Sequence, residues 1–239
     1  MKVLISILSC VRHAMNGCNQ AIRDTWLKDT KEIPGLEYKF FLGGDLSVEE
    51  NESFKQSWES REAIFREKIL IDPDVSKIVL KEDEIILNAP DGYKYQTYKF
   101  REICHWALKH NYDYVFQILT DTFVVPDRLI ASGFEKYDYI GTANAERTAI
   151  GGGPGIWLSS KTLQFLAESP VTLWYYDGWI GDVMSRNGIK LTHDPRYTNL
   201  GQDVPPRKDN DAITSHIANS PIVYDPQQMF ELYEQARGI

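Results

Sequence analysis

Tyr114-Val115-Phe116-Gln117-Ile118-Leu119 is a short apolar, β-rich run that stops at Thr120-Asp121-Thr122. An apolar run of this length, bounded by polar residues, reads as a buried strand. It follows Tyr93–His110, where Tyr98, Ile103, Trp106 and Ala107 recur at helical spacing on one inward face. Outward toward the amino terminus, Lys2–Ser9 reads as a second buried strand and Asn19–Lys28 as a helix carrying Ile22 and Trp26. Tyr38–Leu42 is a strand stopped by Gly43-Gly44, and Lys77–Leu80 is a short strand. Ser47-Val48-Glu49-Glu50 has capping-box spacing, which predicts a helix from there to Leu70. Toward the carboxyl terminus, Asp138–Ile140 and Gly155–Leu158 read as strands, and Ser160–Ala167 and Trp179–Arg186 as helices. Asp225-Pro226-Gln227-Gln228 combines a cap, a proline and a glutamine in the order that opens a final helix. Strands alternating with helices predict an α/β sandwich on a largely parallel sheet. The long irregular stretch Pro195–Asp211, with Pro205-Pro206, is of the kind that forms lids or binding segments.

The composition narrows the function classes. With 239 residues, one compact domain is expected, and 6 Trp, 13 Tyr and 10 Phe exclude a disordered chain. A formal net charge of −8 lacks the field that non-specific nucleic-acid binding requires. No apolar run approaches the ~20 residues that span a bilayer. The apolar stretch Val3–Leu8 runs into Arg12-His13 rather than a small-residue cleavage site, so it reads as a strand and not as a secretory signal. Cys10, Cys18 and Cys104 show no metal or redox spacing. Free thiols in a cytoplasmic, reducing compartment are therefore expected.

Ligands of open α/β sheets bind beyond the carboxyl ends of the strands, and four features fall there. Asp121 is placed either to hold a hard cation or to cap a turn. Gly151-Gly152-Gly153-Pro154-Gly155 permits close approach of a ligand to the backbone, or forms a hairpin tip. Trp174-Tyr175-Tyr176-Asp177-Gly178-Trp179 sets one carboxylate among four aromatics, which suits either a sugar site with a general base or a packed core with a capping aspartate. His216 is either a ligand or a structural histidine, and His193 reads as structural. The first strand leads into Ser9-Cys10-Val11-Arg12-His13 with no glycine before Gly17. That disfavours the dinucleotide-dependent oxidoreductases and the methyltransferases, which place a glycine-rich turn at this point.

Taken in order, these segments resemble the β-1,3-glycosyltransferases of family 31, which include β-1,3-galactosyltransferases and Fringe enzymes. Ala21-Ile22-Arg23-Asp24-Thr25-Trp26 is similar to the family's A-I-R-x-T-W, and Phe40-Phe41-Leu42-Gly43 to its F-L-L-G strand. Asp83-Glu84-Ile85-Ile86 with Tyr95 to Lys99 resembles a further stretch that ends on a lysine. Leu119-Thr120-Asp121-Thr122-Phe123-Val124 lies where the family has D-D-D-x-F-V. Gly152–Ser159 resembles G-x-G-Y-x-x-S, and Tyr176-Asp177-Gly178-Trp179-Ile180-Gly181 resembles E-D-V-Y-x-G. His216 with Pro226, Met229, Leu232 and Tyr233 resembles the closing pattern. The chain departs from the family where Leu119 and Thr120 replace two acidic residues and Tyr176 replaces a glutamate.

The resemblance implies a GT-A fold, a Rossmann-like α/β/α sandwich as one domain. Residues 1–120 would form its nucleotide-binding half and residues 121–239 its acceptor and catalytic half. It implies inverting transfer from a UDP-sugar to a glycan hydroxyl, forming a β-1,3 linkage, with Asp177 as base. It places Mn²⁺, or another divalent cation, on Asp121 and His216. Arg23, Lys99, Asp121, Gly152, Gly153 and Gly155 fall on the donor side, although Arg23 equally suits an anchor between helix and sheet. Trp157, Trp174, Tyr175 and Trp179 are acceptor-stacking candidates. The eroded acidic motif leaves a non-catalytic nucleotide-sugar or glycan-binding protein on the same fold as the alternative.

Overall fold

Val3–Leu8 forms strand β1, and every residue of it is buried. Leu4 and Leu8 point into one apolar cluster, and Val3, Ile5 and Ile7 into a second. A strand buried on both faces belongs at the centre of a sheet covered on both sides. The computed structural model, which describes residues 1–65, 78–143, 150–199, 203–217 and 225–238, places it there.

The further strands are β2 (Leu36–Gly44), β3 (Glu84–Pro90), β4 (Tyr114–Leu119), β5 (Thr122–Val124), β6 (Tyr139–Gly141), β7 (Ile156–Ser159), β8 (Thr192–His193), β9 (Tyr197–Asn199) and β10 (Thr214–His216). The helices are α1 (Val11–Met15), α2 (Cys18–Asp24), α3 (Glu52–Phe65), α4 (Gln96–Lys109), α5 (Pro126–Ile130), α6 (Ser160–Glu168), α7 (Tyr176–Arg186) and α8 (Gln227–Arg237). Seven strands form the main sheet in the order β3-β2-β1-β4-β7-β6-β8, with β7 antiparallel to both of its neighbours and every other pairing parallel. A small second sheet, β5-β10-β9, sits beyond the end of β4. Helices α3, α4, α6 and α7 supply buried residues to one cluster, and α1, α2, α5 and α8 to the other. This is the expected α/β class: a sandwich of helices on both faces of a mostly parallel sheet.

Several elements differ from the sequence expectation for identifiable reasons. The helix expected from Ser47 begins at Glu52, because Asn51 is its cap: the Phe54 amide donates to Asn51 Oδ1 at 3.0 Å. Glu50 is engaged instead by Lys94 at 2.7 Å and by the Tyr95 hydroxyl at 2.9 Å. The expected end of that helix at Leu70 lies outside the described residues, as does Lys77. Ile78–Leu80 is not a strand, and Val79 is 89% exposed. The strand lies further on at β3, where Phe40 pairs with Glu84. The helix expected over Asn19–Lys28 breaks at Thr25, whose hydroxyl donates back to the Ala21 carbonyl at 2.7 Å. The chain then continues as a 3-10 helix over Trp26–Thr30. Helix α7 begins at Tyr176 rather than Trp179, which brings Asp177 into its first turn.

Candidate functional site

The register between β1 and β4 pairs Leu8 with Leu119. The residues just beyond, Ser9-Cys10 and Thr120-Asp121, therefore leave the sheet side by side. After β4 the chain turns sharply into β5, with the Leu119 amide donating to Thr122 Oγ1 at 3.4 Å. Strand β5 pairs antiparallel with β10, setting His216 opposite Thr122, and the Ile217 amide donates to the Asp121 carbonyl at 2.8 Å. This pairing delivers His216 Nε2 to 3.2 Å from Asp121 Oδ2. The other carboxylate oxygen, Asp121 Oδ1, is buried and has no hydrogen-bond partner among the described residues. Buried polar atoms are rarely left so.

The glycine run lies against this pair and is fastened by the second sheet. Thr122 Oγ1 donates to the Gly153 carbonyl at 2.7 Å, and Thr214 Oγ1 to the Pro154 carbonyl at 2.6 Å. Gly152, Gly153 and Gly155 each make room for a neighbouring side chain. A Cβ on Gly153 would come 2.5 Å from His216 Nδ1. One on Gly152 would collide with the Tyr176 hydroxyl, and one on Gly155, whose φ is +109°, with the Phe116 ring. The spacing thus serves the residues that build the site. That is a different physical reason for glycine from the donor approach expected of the sequence.

Asp177 binds the same run from the opposite side. Its Oδ2 accepts from the Gly152 amide at 3.0 Å and its Oδ1 from the Gly178 amide at 2.9 Å. Burial pushes this carboxyl above the ordinary carboxylate range, against the opposing pull of the Gly152 and Gly178 amides and of His216. Beside it, Tyr176 is buried, and its hydroxyl has no partner among the described residues. Burial and the nearby carboxylates of Asp177 and Asp121 push that phenol far up, so it stays a neutral O–H.

The remaining candidates are placed differently. Lys99 is buried, and its ammonium donates to the carbonyls of Ser9 at 2.9 Å and Asp91 at 3.0 Å. Asp91 in turn accepts from the amides of Val11 at 2.8 Å and Gly43 at 2.7 Å. Lys99 and Asp91 therefore latch the ends of β1, β2 and β3 together. Arg23 is bidentate to Asp83 at 2.8 and 2.6 Å and also reaches Glu84 at 2.7 Å, anchoring α2 to the outer edge of the sheet. Trp157 is fully buried, stacked on Phe134 at 3.7 Å between centroids, with its indole N–H donating to Tyr197. Trp179 is fully buried and donates to the Pro170 carbonyl. Trp174 is buried and packs edge-on against Trp58 at 5.3 Å. Of these four aromatics, Tyr175 alone presents substantial surface, being 40% exposed. His193 Nδ1 accepts from the Ala143 amide at 3.1 Å and takes no part in the Asp121–His216 pair.

Three residues near these groups were not singled out as site candidates from the sequence. Tyr93 packs on Trp174 at 5.6 Å between centroids, and burial together with the charges of Asp121 and Asp177 raises its phenol. His13 Nδ1 lies 2.6 Å from Thr120 Oγ1, and Cys10 is hydrogen-bonded to His13. The signal for the last two was their place just past the first strand.

No group of three or more His, Cys, Asp or Glu side chains placed to share a metal occurs among the described residues. Asp121 and His216 still fit a cation that takes its other ligands from a bound substrate. They offer a carboxylate and an imidazole, and Asp121 Oδ1 lacks a partner. No helix among the described residues is long and apolar enough to cross a membrane. No protein-family model matches the chain, and no curated protein matches it. Among solved structures, it is similar to one described as a glycosyltransferase involved in the glycosylation of the major capsid of PBCV-1. That similarity has 13% identity, 100% coverage of both chains and a TM-score of 0.45.

Proposed function

We propose that the chain is an inverting glycosyltransferase that moves a sugar from a UDP-sugar to a glycan hydroxyl. One observation carries this reading. Asp177 and the Asp121–His216 pair are held on adjacent residues of one glycine run, Asp177 through Gly152 and His216 over Gly153. A carboxylate able to take a proton thus stands beside a carboxylate–imidazole pair able to anchor a diphosphate.

Asp177 accepts the proton of the acceptor hydroxyl as that oxygen bonds the anomeric carbon and the diphosphate departs. Burial raises its pKa, so its ionised form is a stronger base than an ordinary carboxylate. No second carboxylic acid is required, because a diphosphate leaves without protonation. Asp121 and His216 would hold a divalent cation, and the mixed oxygen–nitrogen set suits Mn²⁺ better than Mg²⁺. When bound, such a cation supplies charge neutralisation at the departing diphosphate. The nucleotide would lie toward residues 1–120 and the acceptor toward residues 121–239, with Tyr175 as the exposed ring available to a sugar face. The β-1,3 linkage rests on the resemblance to family 31.

Thermal shift separates this from other nucleotide chemistries. UDP with Mn²⁺ is expected to raise the melting temperature, since a ligand that binds only the folded state stabilises it. NAD and S-adenosylmethionine are expected to leave it unchanged. A shift with either of those and none with UDP overturns the reading. Binding of UDP-sugars without any turnover makes the chain the non-catalytic binder instead.

A further inference from the structure

Cys10 and His13 lie just past the end of β1, outside the machinery described above. Leu8 pairs with Leu119, so Cys10 and Asp121 each stand two residues past the same row of the sheet. His13 is tied to the neighbouring strand end through Thr120 Oγ1 at 2.6 Å. Cys10 is hydrogen-bonded to His13 and is partly exposed, whereas Cys18 and Cys104 are fully buried.

We propose that the Cys10–His13 pair is a built modification site, where soft electrophiles and peroxides react with the Cys10 sulfur and thereby close the donor crevice. The closing of the crevice rests on the donor reading above; the reactivity of the sulfur does not.

The charged groups around the pair bear on this chemistry. Burial alone would raise the Cys10 thiol. The His13 imidazolium, the hydrogen bond to it and the Lys99 ammonium on α4 outweigh that and bring the thiol below its ordinary value, with Asp91 opposing. Burial likewise would lower His13. The Cys10 thiolate, the hydrogen bond to it and Asp121 outweigh that and the opposing Lys99 ammonium, and raise it. A thiolate beside an imidazolium is the nucleophilic form of cysteine. With iodoacetamide, the sulfur forms a C–S bond as the C–I bond breaks and iodide leaves. With hydrogen peroxide, the sulfur attacks one oxygen, the O–O bond breaks, and the products are a sulfenic acid and hydroxide, which takes up a proton to give water. Either product adds bulk or polarity two residues past the Leu8–Leu119 row, as far past it as Asp121.

The test is site-resolved mass spectrometry of iodoacetamide labelling on the full chain from pH 5 to 9, with and without UDP and Mn²⁺. Cys10 is expected to label at least tenfold faster than Cys18 and Cys104 at pH 7 and to remain reactive below it. His13→Gln, with melting temperature checked, is expected to slow Cys10 about tenfold at pH 6–7 and to move its profile toward the ordinary thiol value of about 8.5. Cys10→Ser is expected to fold and to remove the fast phase. A Cys10 rate equal to that of an unstructured peptide thiol at pH 6, or an unchanged profile in His13→Gln, overturns the paired site. UDP that shifts the melting temperature yet leaves Cys10 labelling at its full rate overturns the closure. UDP that does not bind at all counts against the donor reading, and the pH profile still decides the pair.

Discussion

The Gly152 amide donates a 3.0 Å hydrogen bond to Asp177 Oδ2, fastening the first turn of α7 to the glycine run that also passes beneath His216. The proposed base and the proposed diphosphate anchor therefore share one backbone segment. Disturbing either is expected to affect chemistry well before it affects folding.

Asp177→Asn tests the base. The Asn amide oxygen can keep only one of the two backbone hydrogen bonds that the Asp177 carboxylate accepts, from Gly152 and Gly178, so a modest fall in melting temperature is expected with UDP affinity near wild type. Turnover is expected to fall by about 10²–10⁴, the usual contribution of a general base. Single-turnover kinetics at saturating donor measures this directly.

The pH dependence follows from the same carboxyl. Its native pKa lies above the ordinary carboxylate value because burial penalises the charged form. The acid limb of the rate profile is therefore expected above the ~3.9 of a free aspartate. The sign for stability is the reverse of the usual aspartate case. The folded chain holds this proton more tightly than the unfolded one, so the group's contribution falls as pH rises from ~3.9 through the native pKa. Asp177→Asn is expected to flatten that part of the denaturation-versus-pH curve, as read by urea titration.

Gly153→Ala tests the placement of His216. The added methyl would stand 2.5 Å from His216 Nδ1, so the ring must move off Asp121. Weaker Mn²⁺-dependent UDP binding is expected with little change in secondary structure, measured by calorimetry and circular dichroism.

Arg23→Ala is expected to act on stability rather than on the donor. Arg23 compensates Glu84, whose side chain is only 3% exposed and whose carboxyl it helps hold below the ordinary range against burial. Removing one partner of a buried ion pair costs about 3–5 kcal/mol. Denaturant unfolding is expected to show that loss, with donor KM little changed in the fraction that folds.

The layout of the sheet could be read from the chain because its central strands are continuous apolar runs between polar stops. Tyr114–Leu119 and Val3–Leu8 fall within a residue of where their pattern ends. Asp121, Gly152, Gly153, Asp177 and His216 stand out in the sequence because they interrupt such patterns at element ends, and the structure brings them to one place. What the chain does not carry is the register between distant strands. Cys10 and His13 become neighbours of Thr120 only through the pairing of β1 with β4. Burial is equally hidden. Lys99 and Arg23 look like free cations in a string of letters, yet backbone carbonyls hold the first and acidic side chains the second. Trp157 and Trp179 look like sugar platforms in the sequence, yet each is fully buried in the apolar cluster on its own side of the sheet. Asn51 outcompetes Ser47 as a helix cap because Glu50, which the capping box would need, is already bonded to Lys94 and Tyr95.

The central claim is that one crevice both anchors a nucleotide diphosphate and activates an acceptor hydroxyl. The most direct measurement is UDP release from a panel of UDP-sugars by wild type and Asp177→Asn, with Mn²⁺ and with EDTA. The account predicts release by wild type with at least one donor in Mn²⁺, its loss in EDTA, and loss of about two orders or more in Asp177→Asn despite retained UDP binding. Equal release by wild type and Asp177→Asn, or transfer unaffected by EDTA, would contradict it.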